Sequence, residues 1–341
     1  LTINERIKAF TALGEYMRVQ NDELIKIMEE AGRYNPWYMY SQVKNAVLAI
    51  GNLLYNDNLE NWLQPYYETF KFPSNNSVGL ILAGNIPLVG FHDMLVCLIA
   101  GFNIQVKPAA DDRILPTHIL NILQNIEPAF REKIQIVERL HSYDLIIATG
   151  SNNTSRYFDY YFSHVPHIIR KNRNGVAILT GQESMNELAD LGHDIFDYFG
   201  LGCRNVSKLY VPEGFNFSSF FEAIEPFSDI ADHHKYFNNY EYNKAIYLVN
   251  GDKHLDNGFL LLKEDERIAS PLAVVHYQTY LHLDELESLL QTHKDEIQCL
   301  LSSEYIPVTN IPTFAFGEGQ KPALNDYADG INTLAFLATY V

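Results

Sequence analysis

Residues 78–109 read VGLILAGNIPLVGFHDMLVCLIAGFNIQVKPA, and their order decides the fold class. The run Val78-Gly79-Leu80-Ile81-Leu82-Ala83 is apolar throughout and follows the turn formers Pro73-Ser74-Asn75-Asn76. A short run with no polar face reads as a strand covered on both sides, the habit of parallel sheets. Gly84-Asn85-Ile86-Pro87 then makes a turn. An apolar helix is expected over 89–100, stopped by Gly101, before a second strand at 103–106. Strand, helix and strand within about thirty residues is the size of a βαβ unit.

The alternation continues on the carboxyl side. A helix is expected over 116–125, strands over 133–137 and 144–148, a helix over 153–164 and a strand over 175–179. This predicts an α/β protein built on a doubly wound parallel sheet. A helix over 184–199 sets Leu188, Leu191, Ile195 and Phe199 on one face. It ends in Gly200-Leu201-Gly202-Cys203, and a strand over 207–211 follows. Shorter elements continue from there, with 283–290 helical. A second α/β domain is therefore expected to begin near residue 180, giving domains 1–180 and 181–341. On the amino side, residues 3–67 read as helices, with Ile7, Phe10, Leu13, Met17 and Val19 near one face.

The 341 residues carry 25 Lys and Arg against 42 Asp and Glu, a formal charge of −17. With 47% apolar and 20% charged residues, the composition is that of a folded chain. Its length allows two domains with a core each. The acidic balance opposes a nucleic-acid surface and attachment to an anionic membrane. Small anions remain admissible where local cations hold them. Three cysteines are too few for a disulfide scaffold and fit a reduced, cytoplasmic compartment. The amino-terminal stretch lacks the basic-then-apolar layout of a secretion signal. The apolar stretch 86–102 is interrupted by His92 and Asp93, so no membrane insertion is expected.

Cys203 is the most informative side chain. A glycine-flanked turn between a helix and a strand lets a ligand approach the backbone, whose N–H groups can hold an oxyanion. A thiolate there can attack a carbonyl or thioester. Free cysteines are otherwise small buried residues. That reading suits Cys97, in an apolar helix, and Cys299, expected on a helix beside Leu300. Thr149-Gly150-Ser151 joins a strand to a helix start that suits a phosphate, although a serine there is more commonly a plain N-cap. Lys107-Pro108 ends the second strand, where a lysine reaches a nucleotide or simply solvent. Arg170-Lys171-Asn172-Arg173 is a basic cluster that suits a phosphate or a solvated surface. No G-x-G-x-x-G follows a strand, and neither the P-loop nor H-E-x-x-H occurs. His233-His234 and His164-x-x-His167 lack the frame of a zinc site, so no metal is expected.

Together these pieces resemble the aldehyde dehydrogenase superfamily, and within it the LuxC-like acyl-CoA reductases. Residues 78–109 resemble its strand, Asn-x-Pro turn, helix and Lys-Pro strand end. YDLIIATGS (143–151) resembles its Thr-Gly-Ser turn, and GLGCRNVSKLYVPEG (200–214) its nucleophile loop and next strand. DGINTLAFL (329–337) is similar to the acyl-CoA reductase ending. The resemblance implies two Rossmann-like domains with a helical amino-terminal segment. It implies Cys203 as nucleophile, with Asn85 and the Cys203 N–H as oxyanion donors. Lys107 falls at the lysine that contacts the adenosine ribose, and Gly150 and Ser151 fall beside the cofactor pyrophosphate.

Three departures sharpen the expectation. The glutamate that activates water in hydrolytic members falls near Arg170, where no acid stands, which suits transfer to or from a thiol. The acid that holds the ribose hydroxyls is replaced by Ala110, with Asp111 adjacent as a substitute. If Asp111 does not serve, a 2′-phosphate is tolerated, and NADPH is preferred to NADH. The later cofactor-side glutamate falls at Arg267, with Glu266 beside it as the candidate.

The expected reaction is NAD(P)H-dependent reduction of a fatty acyl-CoA to an aldehyde through a Cys203 acyl-enzyme. Rivals are a hydrolytic aldehyde dehydrogenase, an acyl-phosphate reductase, and a non-catalytic scaffold of the same fold. The expected partners are a small-molecule acyl thioester carrying coenzyme A and further copies of the chain as a dimer or tetramer. An acyl-donor protein is admitted, and nucleic acid is not expected.

Overall fold

The computed structural model describes residues 1–304, 306 and 311–341. The chain forms two compact units, Leu1–Lys171 with Ala323–Val341, and Asn172–Pro322.

The first unit opens with α1 (Ile3–Val19), α2 (Asp22–Tyr34), α3 (Tyr40–Leu53) and α4 (Asn56–Leu63). Thr2 starts α1 with a capping box to Glu5, satisfying two backbone donors reciprocally. Ile7, Phe10, Leu13 and Met17 are buried as their spacing predicts, whereas Val19 points to solvent. The sheet follows as β1 (Ser77–Ile81), α5 (Phe91–Ala100), β2 (Asn103–Lys107), α6 (Ile114–Ile126), β3 (Ile134–Ile136), β4 (Leu145–Thr149), α7 (Asn152–Tyr161) and β5 (His167–Arg170). All five strands are parallel, in the order β3-β2-β1-β4-β5. Alternate residues of β4 serve the two faces. Leu145 and Ile147 join the core under α1 and α5, while Ile146 and Ala148 pack with Phe158 and Phe162.

The second unit contains β6 (Asn174–Ile178), α8 (Met185–Phe196), β7 (Val206–Pro212), α9 (Ser218–Ile224), α10 (His234–Asn250), β8 (Leu255–Asp256), β9 (Leu261–Glu264), β10 (Val274–Tyr280), α11 (Leu283–Thr292), β11 (Ile297–Leu301) and β12 (Thr313–Phe314). Its sheet runs β12-β11-β6-β7-β10-β9-β8, parallel except for the β8–β9 pair. The chain then returns to the first unit, where α12 (Thr333–Ala338) buries Leu334 and Leu337.

Three local readings change. The strand expected at 175–179 as the last of the first sheet pairs instead with β7 and β11, as β6 of the second. The first sheet ends on β5, which has only Ile168 and Ile169 as apolar signal. Cys299 lies on β11 rather than on a helix, because Ile297–Leu301 is buried along its whole length between β6 and β12. Among the described residues no helix is long and apolar enough to cross a membrane.

Candidate active site

Asn85, Lys107, Ala110, Asp111, Gly150 and Ser151 belong to the first unit; Cys203 and Glu266 belong to the second. In the first sheet, successive connections run to one side from β1 and to the other from β4. Ligands of open α/β sheets bind beyond the carboxyl ends of the strands at such a reversal. Asn85 follows β1 there, Gly150 and Ser151 follow β4, and Lys107 ends β2.

The Asn85 turn is held from both sides. Tyr38 Oη donates to the Gly84 carbonyl at 3.0 Å, and the Leu88 N–H donates to Asp112 Oδ2 at 2.8 Å. Leu88 takes a left-handed φ of 57°. A Cβ on Gly84 would stand 2.6 Å from the Ala109 Cβ, so the turn presses against the end of β2. Asp112 is buried, and that burial pushes its carboxyl up to about 7 despite the Leu88 bond. Asn85 itself is exposed.

Ser151 Oγ accepts the Thr154 N–H at 3.2 Å, which makes it the N-cap of α7. Ala110 and Asp111 lie on an exposed single turn after Lys107-Pro108, and the Asp111 carbonyl accepts from Asn35 Nδ2. A cavity of about 350 Å³ opens beside Lys107 and Ile81, against Tyr143, Tyr157 and Phe158, with Arg139 at its wall. No carboxylate lines it among the described residues. Arg139 was not singled out by sequence, because a lone arginine in a loop carries no local signal.

Within the basic cluster, Arg170 is neither solvated nor turned to a phosphate. Arg170 is buried, with Nη2 2.6 Å from Asp93 Oδ1, and its other donors go to the Ala328 carbonyl and Thr333. Its Nε and Nη2 are taken by Asp93 and Thr333 and its Nη1 bonds the Ala328 carbonyl, so the buried guanidinium is spent within the fold. The paired histidines act locally: His233 Nδ1 accepts the Tyr236 N–H at the start of α10, and His164 and His167 donate to nearby carbonyls. Among the described residues no group of three or more His, Cys, Asp or Glu is placed to hold a metal ion.

In the second unit, α8 begins with a Ser184–Glu187 capping box and buries Leu188, Leu191 and Ile195. Tyr198, Phe199 and Gly200 then all take positive φ, which turns the chain sharply toward β7. Cys203 occupies a tight turn closed by the Asn205 N–H on the Gly202 carbonyl at 3.1 Å. It is partly exposed, whereas Cys97 and Cys299 are buried. Burial pushes the Cys97 thiol up, away from reactivity.

Glu266 is exposed on the segment joining β9 to β10. Buried side chains grip that segment. Lys208 Nζ donates to the Asp265 carbonyl, His276 Nδ1 to the Arg267 carbonyl at 3.1 Å, and Ser207 Oγ to the Ile268 carbonyl at 2.8 Å. The strand that follows Cys203 thus carries two of the three residues that hold the Glu266 segment.

No family model and no curated protein matches the sequence. Solved structures do match the fold. An indole-3-acetaldehyde dehydrogenase in complex with NAD+ matches with a TM-score of 0.73 at 11% identity, over 99% of this chain and 83% of that one. An NAD-dependent aldehyde dehydrogenase from Sinorhizobium meliloti gives 0.66 at 12%, over 89% and 70%. A Mycobacterium tuberculosis aldehyde dehydrogenase complexed with NAD+ gives 0.65 at 13%, over 92% and 77%. The fold is aldehyde-dehydrogenase-like, and identities this low speak for the fold alone.

Proposed function

We propose that the chain is a nicotinamide-dependent oxidoreductase of the acyl-CoA reductase type, in which Cys203 takes an acyl group from a thioester. The observation that carries this reading is the setting of Cys203. It is the one accessible thiol among the chain's three cysteines, in a twice-anchored turn of an aldehyde-dehydrogenase-like fold. Arg170, held by Asp93, supports the acylating over the hydrolytic form, because no acid stands at that position to activate water.

The residues fit a nicotinamide dinucleotide. Aromatic walls suit a flat base, and Lys107 and Arg139 suit the anionic sugar-phosphate part. The lack of a carboxylate on that cavity among the described residues supports NADPH over NADH. Two cations beside one cavity of a −17 chain support a local site for an anionic cofactor. When bound, the reduced nicotinamide supplies a hydride.

The chain's own residues perform the rest. The Cys203 thiolate attacks the thioester carbonyl, and the C–S bond to coenzyme A breaks, releasing its thiolate. Asn85 and the Cys203 N–H are assigned to the oxyanion. After reduction, the hemithioacetal oxygen is an alkoxide; its collapse to a carbonyl breaks the C–S bond to Cys203, so the aldehyde leaves and the Cys203 thiolate returns.

The test is turnover of a long-chain acyl-CoA followed by nicotinamide absorbance, with the product identified as aldehyde or acid. Undiminished turnover in Cys203→Ala overturns the mechanism. Acid as the product favours the hydrolytic reading. No heat on titrating NADPH or NADH favours a scaffold.

A further inference from the structure

We infer that Asn205 is a positioning residue for Cys203, fixing the nucleophile turn to the end of α8. The inference rests on the reading of Cys203 as nucleophile, but its geometry is independent of any substrate.

The turn Gly202-Cys203-Arg204-Asn205 is closed twice between the same two residues. The Asn205 N–H donates to the Gly202 carbonyl at 3.1 Å, and the Gly202 N–H donates to Asn205 Oδ1 at 2.8 Å. The backbone on both sides of Cys203 is therefore held by one side chain and one peptide. Asn205 Nδ2 then reaches out of the turn, donating to the Asp194 carbonyl at 3.0 Å and the Asp197 carbonyl at 2.9 Å. These are carbonyls at the end of α8, where helical partners run out. Asn205 is 3% exposed, so water does not replace these bonds.

The floor of the turn is equally tight. The Gly175 N–H on β6 donates to the Asn205 carbonyl at 2.9 Å. A Cβ on Gly175 would stand 2.4 Å from the Arg204 carbonyl oxygen, so only glycine lets the turn sit this low. Cys299 Sγ lies 3.9 Å from that same oxygen.

A side chain needs both an acceptor and donors here, at one length. Serine lacks the second donor. Aspartate keeps the acceptor but sets a negative oxygen against the α8 carbonyls, already the negative end of that helix. Both changes loosen the turn, and aspartate adds charge beside the thiol. The effect on Cys203 is therefore graded.

The experiment measures the pH profile of Cys203 alkylation in wild type, Asn205→Ser and Asn205→Asp, alongside kcat and cofactor KM. The expected result is a midpoint moved to higher pH, further for aspartate than for serine. It includes a kcat lower by about ten- to a hundredfold with cofactor KM within about twofold. Wild-type profiles and kcat in both folded variants overturn the inference. If neither variant folds, amide exchange in the wild type decides it: slow exchange at Gly202 and Asn205 supports the double closure, and exchange at the rate of an exposed loop overturns it. Full activity in Cys203→Ala defeats the nucleophile reading separately, because the alkylation arm still reports where Asn205 holds the thiol.

Discussion

Arg170 and Asp93 form a buried, two-point ion pair inside the first unit: Nη2 lies 2.6 Å from Oδ1, and Nε lies 3.1 Å from Oδ2. Burial opposes the guanidinium charge, and Asp93 outweighs it, so the group titrates above its ordinary value. The pair joins the end of β5 to the first turn of α5. Nη1 bonds the Ala328 carbonyl and Nη2 also bonds Thr333, so the same side chain fastens the returning carboxyl-terminal segment. Trp62 and His92 fasten it elsewhere, through Tyr327 Oη and the Leu324 carbonyl. A cation that resembled a phosphate ligand in sequence is a structural bolt.

Removing one partner of such a pair strands the other charge. Arg170→Met is expected to cost about 3–5 kcal/mol of stability, and the double change with Asp93→Leu less than Arg170→Met alone. Urea unfolding of both variants measures this. Equal losses for the single and double variants would count against the pair. A large loss of cofactor affinity in a fully stable Arg170→Met would restore the phosphate-binding role.

What was legible in the sequence had strong local chemistry. β1, α5 and β4 are apolar runs beside glycine or turn-forming residues, β2 follows from the Gly101 stop and the Lys107-Pro108 end, and the nucleophile turn stands between an amphipathic helix and a strand. What was not legible depends on distant partners. His167–Arg170 has two apolar residues and becomes β5 only by pairing with β4. Asp112 carries no signal beside the candidate Asp111, yet it is buried and accepts the Leu88 N–H. Asn205 has no signal of its own in the sequence, since nothing local shows that its amide reaches back to α8. Arg139 joins Lys107 only because β3 lies beside β2.

The cavity beside Lys107 yields a prediction on cofactor choice. Arg139→Ala is expected to weaken NADPH binding by roughly tenfold, about 1.4 kcal/mol, and to change NADH binding little. Lys107→Ala is expected to weaken both, since a lysine at the strand end faces the part the two cofactors share. Calorimetric titration of each variant with each cofactor decides it. An equal loss for NADPH and NADH in Arg139→Ala removes the basis for an NADPH preference.

Asp194 makes stability depend on pH. It is wholly buried on α8, where its carboxylate accepts the Gly317 N–H at 2.6 Å and the Gly319 N–H at 2.9 Å. Burial nevertheless pushes it up to about 7 from 3.8. Between those values the folded protein keeps a proton that the unfolded chain has released. This group's contribution therefore falls as pH rises through that window and is level above it. Asp112 acts in the same direction in the other unit. Asp194→Asn cannot titrate, so the stability of wild type relative to Asp194→Asn is expected to decline from about pH 4 to 7. Parallel urea-unfolding profiles across that range would sink the assignment.

Lys208 provides the opposite slope and a functional readout. Its Nζ donates to the Asp265 carbonyl and, at 3.1 Å, to Gln278 Oε1, and it is register partner to His276. Burial pulls its ammonium down to about 8 from 10.5, against the attraction of Asp265 and Glu266. Between those values the unfolded chain holds more protons, so this group's contribution to stability rises with pH there. Lys208→Met removes that rise and frees the segment that carries Glu266. If Glu266 holds the cofactor, Lys208→Met raises cofactor KM several-fold, in the same direction as Glu266→Gln and with a smaller change in kcat. The His276→Phe variant, which loses the bond to the Arg267 carbonyl, follows the same pattern. Impaired cofactor binding in Glu266→Gln with wild-type binding in Lys208→Met shows that the segment keeps its shape without the lysine. Wild-type binding in Glu266→Gln removes Glu266 from the cofactor site altogether.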